Sequence, residues 1–292
     1  MRTLPFTLIV LSCVFPLTIH AMPPETFVPA RYDPFVGDWL PKKAGDCVAQ
    51  VLATGANAYQ VNVLAAFDDE SSAEPVAVLR GTRPDENSPV ELRDAGGDWT
   101  GTIRPDCCAS PQMVIINAKA GEKNHLAQFM RPNPRLRTKP PEGAIVLFAD
   151  RMRDGVFTLA KEQAKLASRE TFGNVRAHLE FRMSGDGSAA AATLWKGAWI
   201  GLFSSYGRSG RPACGTLLTT GPIPPAVRAE RAVLEWQALD VETRDGWMTV
   251  FLNGVKIHDA VAGIAAPGEQ APLEIETRGA PVAFRNIWVL AQ

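Results

Sequence analysis

The chain lacks an excess of either charge, and neither sign forms a long block. Its 292 residues hold 30 lysines and arginines against 31 aspartates and glutamates, a formal net charge of −1. Proteins that bind nucleic acid through its phosphates present a clustered basic face. The sequence therefore gives no support for nucleic acid as a partner.

Long apolar runs are also missing after the first 21 residues. The chain starts with MRTLPFTLIVLSCVFPLTIHA, in which Arg2 is followed by an apolar stretch and by the small residue Ala21. This pattern predicts a signal peptide at residues 1–21 and an exported, periplasmic or secreted protein without a membrane span. A span needs about 20 apolar residues, which this stretch does not reach. Cys13 lies in a poor lipoprotein box, because the apolar region continues past it.

Cysteines are few, and the signatures of common catalytic and metal centres are absent. Four cysteines follow the signal peptide: Cys47, Cys107, Cys108 and Cys214. In an oxidising compartment we favour pairing of Cys47 with Cys107 or Cys108, with buried thiols as the alternative. Cys107 and Cys108 are adjacent and lack the spacing of a zinc site. No run of oxygen ligands resembles a calcium-binding loop. The GxSxG motif of the serine hydrolases does not occur. We expect neither a metal nor a cofactor.

What the sequence does contain is a succession of short strand signals. From Phe35 to Met130, apolar runs alternate with turn residues, which predicts a small β domain at residues 22–130. The run RPNPRLRTKPPEG has four prolines and predicts a junction at residues 131–143. Further alternating runs predict a β-sandwich at residues 144–292. Only FTLAKEQAKLAS, residues 157–168, has helix-forming composition, and its structure stays open.

One predicted strand, VRAHLEFRM, carries candidate chemistry on one face. The alternation places the odd-numbered residues from Val175 to Met183 on the core face. It places the even-numbered residues between them on the opposite face, which we expect to be wet or ligand-facing. His178, Glu180 and Arg182 supply a base, an acid and a cation there. His178 and Glu180 are catalytic candidates, and an ordinary solvated face is the alternative.

The stretch WMTVFLNGVKIHDAV predicts a β-hairpin. Asn253 and Gly254 form the pair that best tolerates the positive φ angles of a type I′ turn. His258 and Asp259 come at the far end of the returning strand. We expect His258 to be exposed or at a sheet edge rather than catalytic.

This hairpin and the segments around it resemble the 3-keto-disaccharide hydrolase domain family. The shared elements are Trp236-Gln237, Leu252-Asn253-Gly254, His258-Asp259 and Arg285-Asn286-Ile287, in this order. The resemblance implies an all-β fold, a concanavalin- or laminin-G-like jelly roll after a small β domain. It also implies cleavage of glycosides oxidised at carbon 3, by elimination that uses an acid/base pair and a stabilised enolate. A saccharide is the candidate ligand.

The sequence departs from this family where active members carry their acid/base groups. A glutamate, a glutamine and an aspartate of the family correspond to Trp199, Gly201 and Ser204 here, and a histidine corresponds to Arg278. Arginine stays protonated and is a poor general base. Two hypotheses remain: a 3-keto-glycoside hydrolase whose activity is changed or lost, and a non-catalytic glycan-binding or structural β protein.

The candidate site residues follow from both lines of argument. Arg278 joins His178 and Glu180 as a catalytic candidate. Trp199, Arg182 and Glu276 are candidates for substrate binding, with Trp199 as a platform for a sugar ring; packing in the core is the alternative for a tryptophan.

Overall fold

The computed structural model describes residues 33–43, 47–67, 74–106, 110–159, 165–184, 188–195, 198–208, 212–264, 268–279 and 281–292. The predicted signal peptide, Cys13, Cys107 and Cys108 lie outside these ranges. Export and the pairing of Cys47 with Cys107 or Cys108 therefore stay predictions. Cys214 is a buried thiol. In the described part of the chain, no helix combines the length and hydrophobicity needed to cross a bilayer.

The N-terminal strands close into an eight-stranded antiparallel barrel in chain order. Their ranges are β1 Gly37–Pro41, β2 Val48–Gly55, β3 Ala58–Leu64, β4 Ala77–Thr82, β5 Val90–Arg93, β6 Trp99–Arg104, β7 Gln112–Asn117 and β8 Glu122–Phe129. β1 pairs with both β2 and β8, which closes the ring. Alternating apolar side chains such as Trp39, Val61 and Ile115 fill its interior.

The C-terminal strands form two sheets. Their ranges are β9 Ile145–Val146, β10 Val156–Leu159, β11 Lys165–Phe172, β12 Val175–Met183, β13 Ser188–Trp195, β14 Ala198–Phe203, β15 Leu217–Leu218, β16 Pro222–Ile223, β17 Gln237–Arg244, β18 Trp247–Leu252, β19 Val255–Val261, β20 Ala271–Gly279 and β21 Val282–Ala291. The first sheet has the order β10-β21-β12-β17-β18-β19, with β9 also paired to β21, and the second has the order β11-β20-β13-β14-β15-β16.

One apolar core lies between these two sheets. Leu179 and Phe181 from the first sheet and Ile200 and Ile275 from the second belong to the same buried cluster. The predicted all-β fold class, a β domain followed by a sandwich, is therefore confirmed. The segment with helix-forming composition has strands at its two ends, β10 and β11, and residues 160–164 between them lie outside the described ranges.

The predicted hairpin turn is confirmed. Asn253 has φ 55° and Gly254 has φ 86°, between β18 and β19. The side chain of Asn253 is buried as well. Its Oδ1 accepts from the Ala238 amide at 2.9 Å, and its Nδ2 donates to the Ala229 carbonyl at 2.8 Å and to Gln237 Oε1 at 2.7 Å. This residue therefore ties the turn to the neighbouring strand in addition to shaping it.

The proline-rich junction packs against both halves of the molecule. Residues 131–138, here called the strap, follow the last barrel strand directly. Arg131 pairs with Asp38 of β1, and the Arg231 guanidinium donates to the Pro132 carbonyl at 3.2 Å. Asn133 Nδ2 donates to Asn253 Oδ1 at 2.8 Å. The strap is therefore an ordered cover on the sandwich.

Candidate functional site

The predicted site residues lie on two opposite surfaces of the sandwich. Because side chains alternate along a strand and Leu179 and Ile200 point into the shared core, their neighbours point outward from their own sheets. His178 and Glu180 lie on the outer face of the first sheet, and Trp199 lies on the outer face of the second. The core separates the two groups, so they do not form one pocket.

The strap covers the first of these surfaces. His178 and Glu180 are both 0% exposed, so the expectation that their face is wet or ligand-facing is wrong for these two residues. The reason is that strap residues Arg135, Arg137 and Thr138 lie over this part of the sheet. Sequence alternation correctly separated the two faces, but it carried no signal for a cover supplied by a segment about 40 residues earlier.

Glu180 accepts three hydrogen bonds from different parts of the chain. Its donors are the Arg137 amide of the strap, Arg285 Nε at 2.7 Å and Asn286 Nδ2 at 2.9 Å. Burial alone would raise the pKa of this carboxyl, but these hydrogen bonds and His178 lower the pKa to about 2. Glu180 is therefore a buried carboxylate with its acceptor capacity in use.

Asn286 reaches Glu180 through a β-bulge. Between the His178–Trp288 and Glu180–Arg285 pairs, two residues of β21 face one residue of β12. Asn286 has φ 49° there, a conformation that asparagine adopts more readily than most residues. Its amide donates to the Thr138 carbonyl of the strap at 2.9 Å as well as to Glu180.

His178 is paired with Asp240 under the same cover. The distance from His178 Nδ1 to Asp240 Oδ1 is 3.0 Å, and the imidazole stacks on Trp288 with 5.3 Å between ring centroids. Arg135 of the strap pairs with Asp240 through two nitrogens, with Nε at 2.9 Å from Oδ2. Burial alone would raise the pKa of Asp240, but His178 and Arg135 lower it.

The pKa of His178 moves in the opposite direction. Burial favours the neutral ring, but the hydrogen bond with Asp240 and the charges of Asp240 and Glu180 outweigh it and raise the pKa above 6.5. The imidazole thus lies between two carboxylates, Asp240 and Glu180, which also pair with the strap arginine and with Arg285. The arrangement has the features of a structural ionic network, and substrate has no access to it.

This network predicts a bell-shaped dependence of stability on pH. Glu180 and Asp240 have lowered pKa values, so their contribution is present above pH 4.5 and is lost as the pH falls towards 2. His178 has a raised pKa, so its contribution is present below pH 6.5 and is lost as the pH rises through the folded-state value. We expect the highest free energy of unfolding between about pH 5 and 6.5.

Urea denaturation across pH 3 to 9 measures this dependence. Glu180 alone should account for a loss of about 2 kcal/mol by pH 3, since its pKa falls from 4.5 to about 2 and the full loss of about 3 kcal/mol is reached only below pH 2. In the His178→Asn variant, the fall in unfolding free energy at alkaline pH should be smaller by the amount that His178 contributes. A flat profile from pH 4 to 8, or an unchanged alkaline limb in this variant, would contradict the assignment.

Arg182 lies on the same face of β12 as His178 and Glu180, but unlike them it is exposed. Its guanidinium is exposed and lies 4.9 Å from the ring centroid of Trp236, which Arg285 also contacts at 4.0 Å. Both contacts are cation–π interactions. Arg182 is on the first sheet, so the predicted substrate-binding residues Trp199, Glu276 and Arg182 do not share a surface.

The outer face of the second sheet carries an aromatic and charged surface. The register across the neighbouring strands β11, β20, β13 and β14 aligns one residue from each, in the order Lys165, Glu276, Ala191 and Gly201. Lys165 Nζ lies 2.7 Å from Glu274 Oε1 and 5.9 Å from the ring centroid of Trp199. Arg278 lies in β20, opposite Ala189. Trp199 and Glu276 are both half-buried.

Gly201 leaves room for an aromatic ring on this surface. A Cβ atom on Gly201 would lie 2.3 Å from Phe203 Cε2, so the Phe203 ring occupies the space above this glycine. Along β14, Trp199 lies two residues before Gly201 and Phe203 lies two residues after it. Two aromatic rings thus flank Gly201 on the same surface, and a longer side chain at this position would displace Phe203.

No histidine lies on this surface in the ranges that the structure describes. His178 is beneath the strap, and His125 is exposed on the barrel. Of the two alternatives expected for His258, exposed or at a sheet edge, the structure shows the second: it lies on the edge strand β19 but is buried. It is 5% exposed, and its Nε2 lies 2.8 Å from the Gly215 carbonyl oxygen, because the loop before β15 covers it. Burial lowers its pKa.

The family comparison covers the strap and the whole sandwich. The model of the 3-keto-alpha-glucoside-1,2-lyase-like domain matches residues 120–290. The chain belongs to this family. The match begins in the turn between β7 and β8, the last two barrel strands, and includes every residue of the ionic network. The family is carbohydrate-active and lyase- or hydrolase-like, which makes a saccharide the expected type of ligand.

Solved structures are similar to this family domain at low sequence identity. A candidate glycosyl hydrolase from Parabacteroides distasonis is 19% identical, with 56% of this chain and 94% of that chain covered and a TM-score of 0.45. A second from the same organism is 14% identical, with 51% and 99% covered and a TM-score of 0.42. No curated protein matches the chain.

Sequence analysis missed several residues that organise the lyase-like domain. Arg135, Asp240 and Asn286 were not singled out for a role, although Asn286 was part of a family element. Asp240 is directly opposite His178 in the β12–β17 register, so a correct strand pairing would have found it. Arg135 has no such signal, because the strap reaches the sheet through tertiary packing.

Proposed function

We propose that this protein is an exported, non-catalytic member of its family that binds a saccharide on the outer face of the second sheet. The observation that carries the proposal is the grouping of Trp199 and Phe203 with Lys165 and Glu276 on one sheet surface. Aromatic faces accept the apolar C–H side of a sugar ring, and charged side chains bind its hydroxyls. Export is inferred from residues 1–21.

The residues at the family's acid/base positions support binding rather than cleavage. Elimination from a 3-keto-glycoside needs a group that removes the proton on carbon 2 and a group that assists departure of the leaving oxygen. The positions that resemble the acid/base positions of the family hold Trp199, Gly201 and Arg278. The catalytic candidates His178 and Glu180 are buried on the opposite side of the sandwich, where a sugar does not reach them.

Cleavage of 3-keto-glycosides is the second candidate, and one observation favours it. Glu276 lies beside Lys165 in register on the second sheet, so a carboxylate and an amine, the types of group that transfer protons, lie on the surface where the sugar is proposed to bind. Incubation with a 3-keto-glucoside and measurement of aglycone release separates the candidates. We expect no release above the rate without protein; release that the Glu276→Gln variant abolishes would establish the enzyme.

The binding proposal predicts a specific effect of Trp199. Replacing Trp199 with alanine should weaken saccharide binding by about tenfold or more in isothermal titration, because a tenfold loss corresponds to about 1.4 kcal/mol of lost stacking and burial. The matched control is Trp247→Ala on the first sheet, where the side chain is 50% exposed. Equal affinities for the two variants would overturn the proposed surface.

A further inference from the structure

The outer surface of the N-terminal barrel contains a groove that the function proposed above does not use. Its volume is about 500 Å³, within the range of about 300–1,000 Å³ that small-ligand sites occupy. The groove crosses β3, β4 and β5, and its lining residues are Thr54, Ala58, Tyr59, Arg80, Gly81, Thr82, Glu91 and Arg93. It belongs to the barrel, away from the surface of Trp199.

Two arginines lie directly opposite each other in this groove. The register pairs Arg80 of β4 with Arg93 of β5, and both side chains are exposed. Residues opposite each other on neighbouring strands have Cβ atoms about 4.5–5.5 Å apart, and like charges in this arrangement destabilise the sheet. A pair of this kind lowers the stability of the free barrel unless an anion neutralises it.

In the part of the chain that the structure describes, neither arginine is neutralised by an ion pair. Arg80 Nη2 donates only to the neutral Gln60 Oε1, at 3.3 Å. Glu91, the one acidic residue in the lining, accepts from Thr102 Oγ1 at 3.0 Å, on the side of the next strand. The two guanidinium groups therefore remain available to an external oxyanion.

The shape of the groove depends on Gly81. A Cβ atom here would lie 2.1 Å from the Glu91 carbonyl oxygen, so β4 and β5 approach each other more closely than a side chain would permit. By strand alternation the missing side chain would lie on the face opposite to Arg80 and Thr82, so its absence permits the close strand pairing that holds the arginine pair in place. Thr54 and Thr82 are exposed there and offer hydroxyl groups for hydrogen bonding.

We propose that this groove is an accessory site for an acidic saccharide, in which Arg80 and Arg93 bind a sugar carboxylate or sulfate ester. The planar guanidinium group matches such oxyanions with two parallel hydrogen bonds. The threonine hydroxyls bind the remaining sugar hydroxyls. The saccharide class follows from the family of the adjacent domain, and the site does not depend on binding at Trp199.

Isothermal titration with three probes tests the site: a glucuronate-containing disaccharide, a sulfated disaccharide, and cellobiose as the neutral reference. We expect at least one acidic probe to bind, and its affinity to fall at least tenfold in Arg80→Ala and in Arg93→Ala. The matched control Arg104→Ala removes an exposed barrel arginine outside the groove and should not change the affinity. The acidic probe that binds identifies the oxyanion as a carboxylate or a sulfate.

Three outcomes would overturn the proposal. The first is that neither acidic probe binds, and the second is that both arginine variants bind like the unmodified protein. The third is that Arg93→Ala weakens cellobiose as much as the acidic probe, which would mean that charge is not recognised. The acidic probe should retain its affinity in Trp199→Ala, so failure here and failure of the proposed function are distinguishable.

A stability measurement gives an independent readout. The thermal midpoint of Arg93→Gln without ligand should equal or exceed that of the unmodified protein, because the substitution removes the like-charge pair. An acidic probe should raise the midpoint of the unmodified protein and leave that of Arg93→Gln unchanged. A clear fall in the midpoint of ligand-free Arg93→Gln would assign the arginine to barrel stability and contradict the proposal.

Discussion

Replacing Glu180 with alanine is expected to lower the free energy of unfolding by about 3–5 kcal/mol. The substitution leaves Arg285 without its carboxylate partner and removes the acceptor of the Arg137 amide and of Asn286. A buried ion pair that loses one member leaves an uncompensated charge away from water. The effect should therefore far exceed the loss of one surface salt bridge, which is about 0–1 kcal/mol.

Urea denaturation near pH 6 measures the effect of Glu180→Ala. The matched control is Glu242→Ala, a glutamate on the same sheet face whose carboxylate is 49% exposed and 3.9 Å from Arg176. It should lose less than about 1 kcal/mol. A loss below about 1 kcal/mol for Glu180→Ala as well would show that the strap and its network contribute little to the fold.

Replacing Asn253 with alanine is expected to cost at least about 2 kcal/mol of unfolding free energy. The side chain serves the Ala238 amide, the Ala229 carbonyl and Gln237 in a buried position, and each unsatisfied buried group costs about 1–3 kcal/mol. Alanine also fits poorly at φ 55°. The hairpin should then lose its connection to both β17 and the strap.

Two glycine variants separate these causes. Asn253→Gly keeps the backbone conformation of the turn and removes the side chain, so it should retain most of the loss. Asn57→Gly changes another asparagine of positive φ, at 62° in the β2–β3 turn of the barrel, and should change stability by less than about 0.5 kcal/mol. If Asn253→Gly is as stable as the unmodified protein, the hydrogen bonds of this side chain are not important.

The parts of the fold that sequence predicted are those set by local chemistry. Period-two alternation identified β12 and its two faces, and the Asn253-Gly254 pair identified the turn. These features depend on backbone sterics and on the order of apolar and polar residues along a single strand. They do not require knowledge of what packs on a strand from elsewhere in the chain.

The features that sequence did not predict are set by distant packing. Alternation cannot tell a solvated polar face from one that another segment covers, so His178 and Glu180 were expected at a wet surface. Closure of the barrel depends on pairing of Gly37–Pro41 with Glu122–Phe129, strands separated by about 80 residues. Neither strand has a sequence pattern that identifies the strand with which it pairs.

Distant packing also explains why the candidate site residues lie on two separate surfaces. His178 and Trp199 both lie outside the core, and sequence gives the same polar or amphipathic signature to either outer face. Only the assignment of β12 to one sheet and β14 to the other shows that the core lies between them. Alternation placed His178 and Glu180 on the outer face of their strand, and only the sheet topology separates them from Trp199.

The ionic network lies apart from the positions at which the sequence predicts substituted acid/base groups. Arg135, Asp240, His178 and Glu180 connect the strap to the first sheet, and none of them lies on the surface of Trp199. Substitutions on the outer face of the second sheet therefore leave this network intact. The ionic network and the proposed ligand surface thus lie on opposite faces of the same sandwich.

The most direct test is a crystal structure determined after soaking with a 3-keto-glucoside. The account predicts an intact glycoside on the outer face of the second sheet, with its sugar ring against Trp199 and in reach of Glu276 and Lys165. A cleaved sugar on that face would show that catalysis is retained. A sugar bound elsewhere, with the Trp199 surface empty, would contradict the proposed site itself.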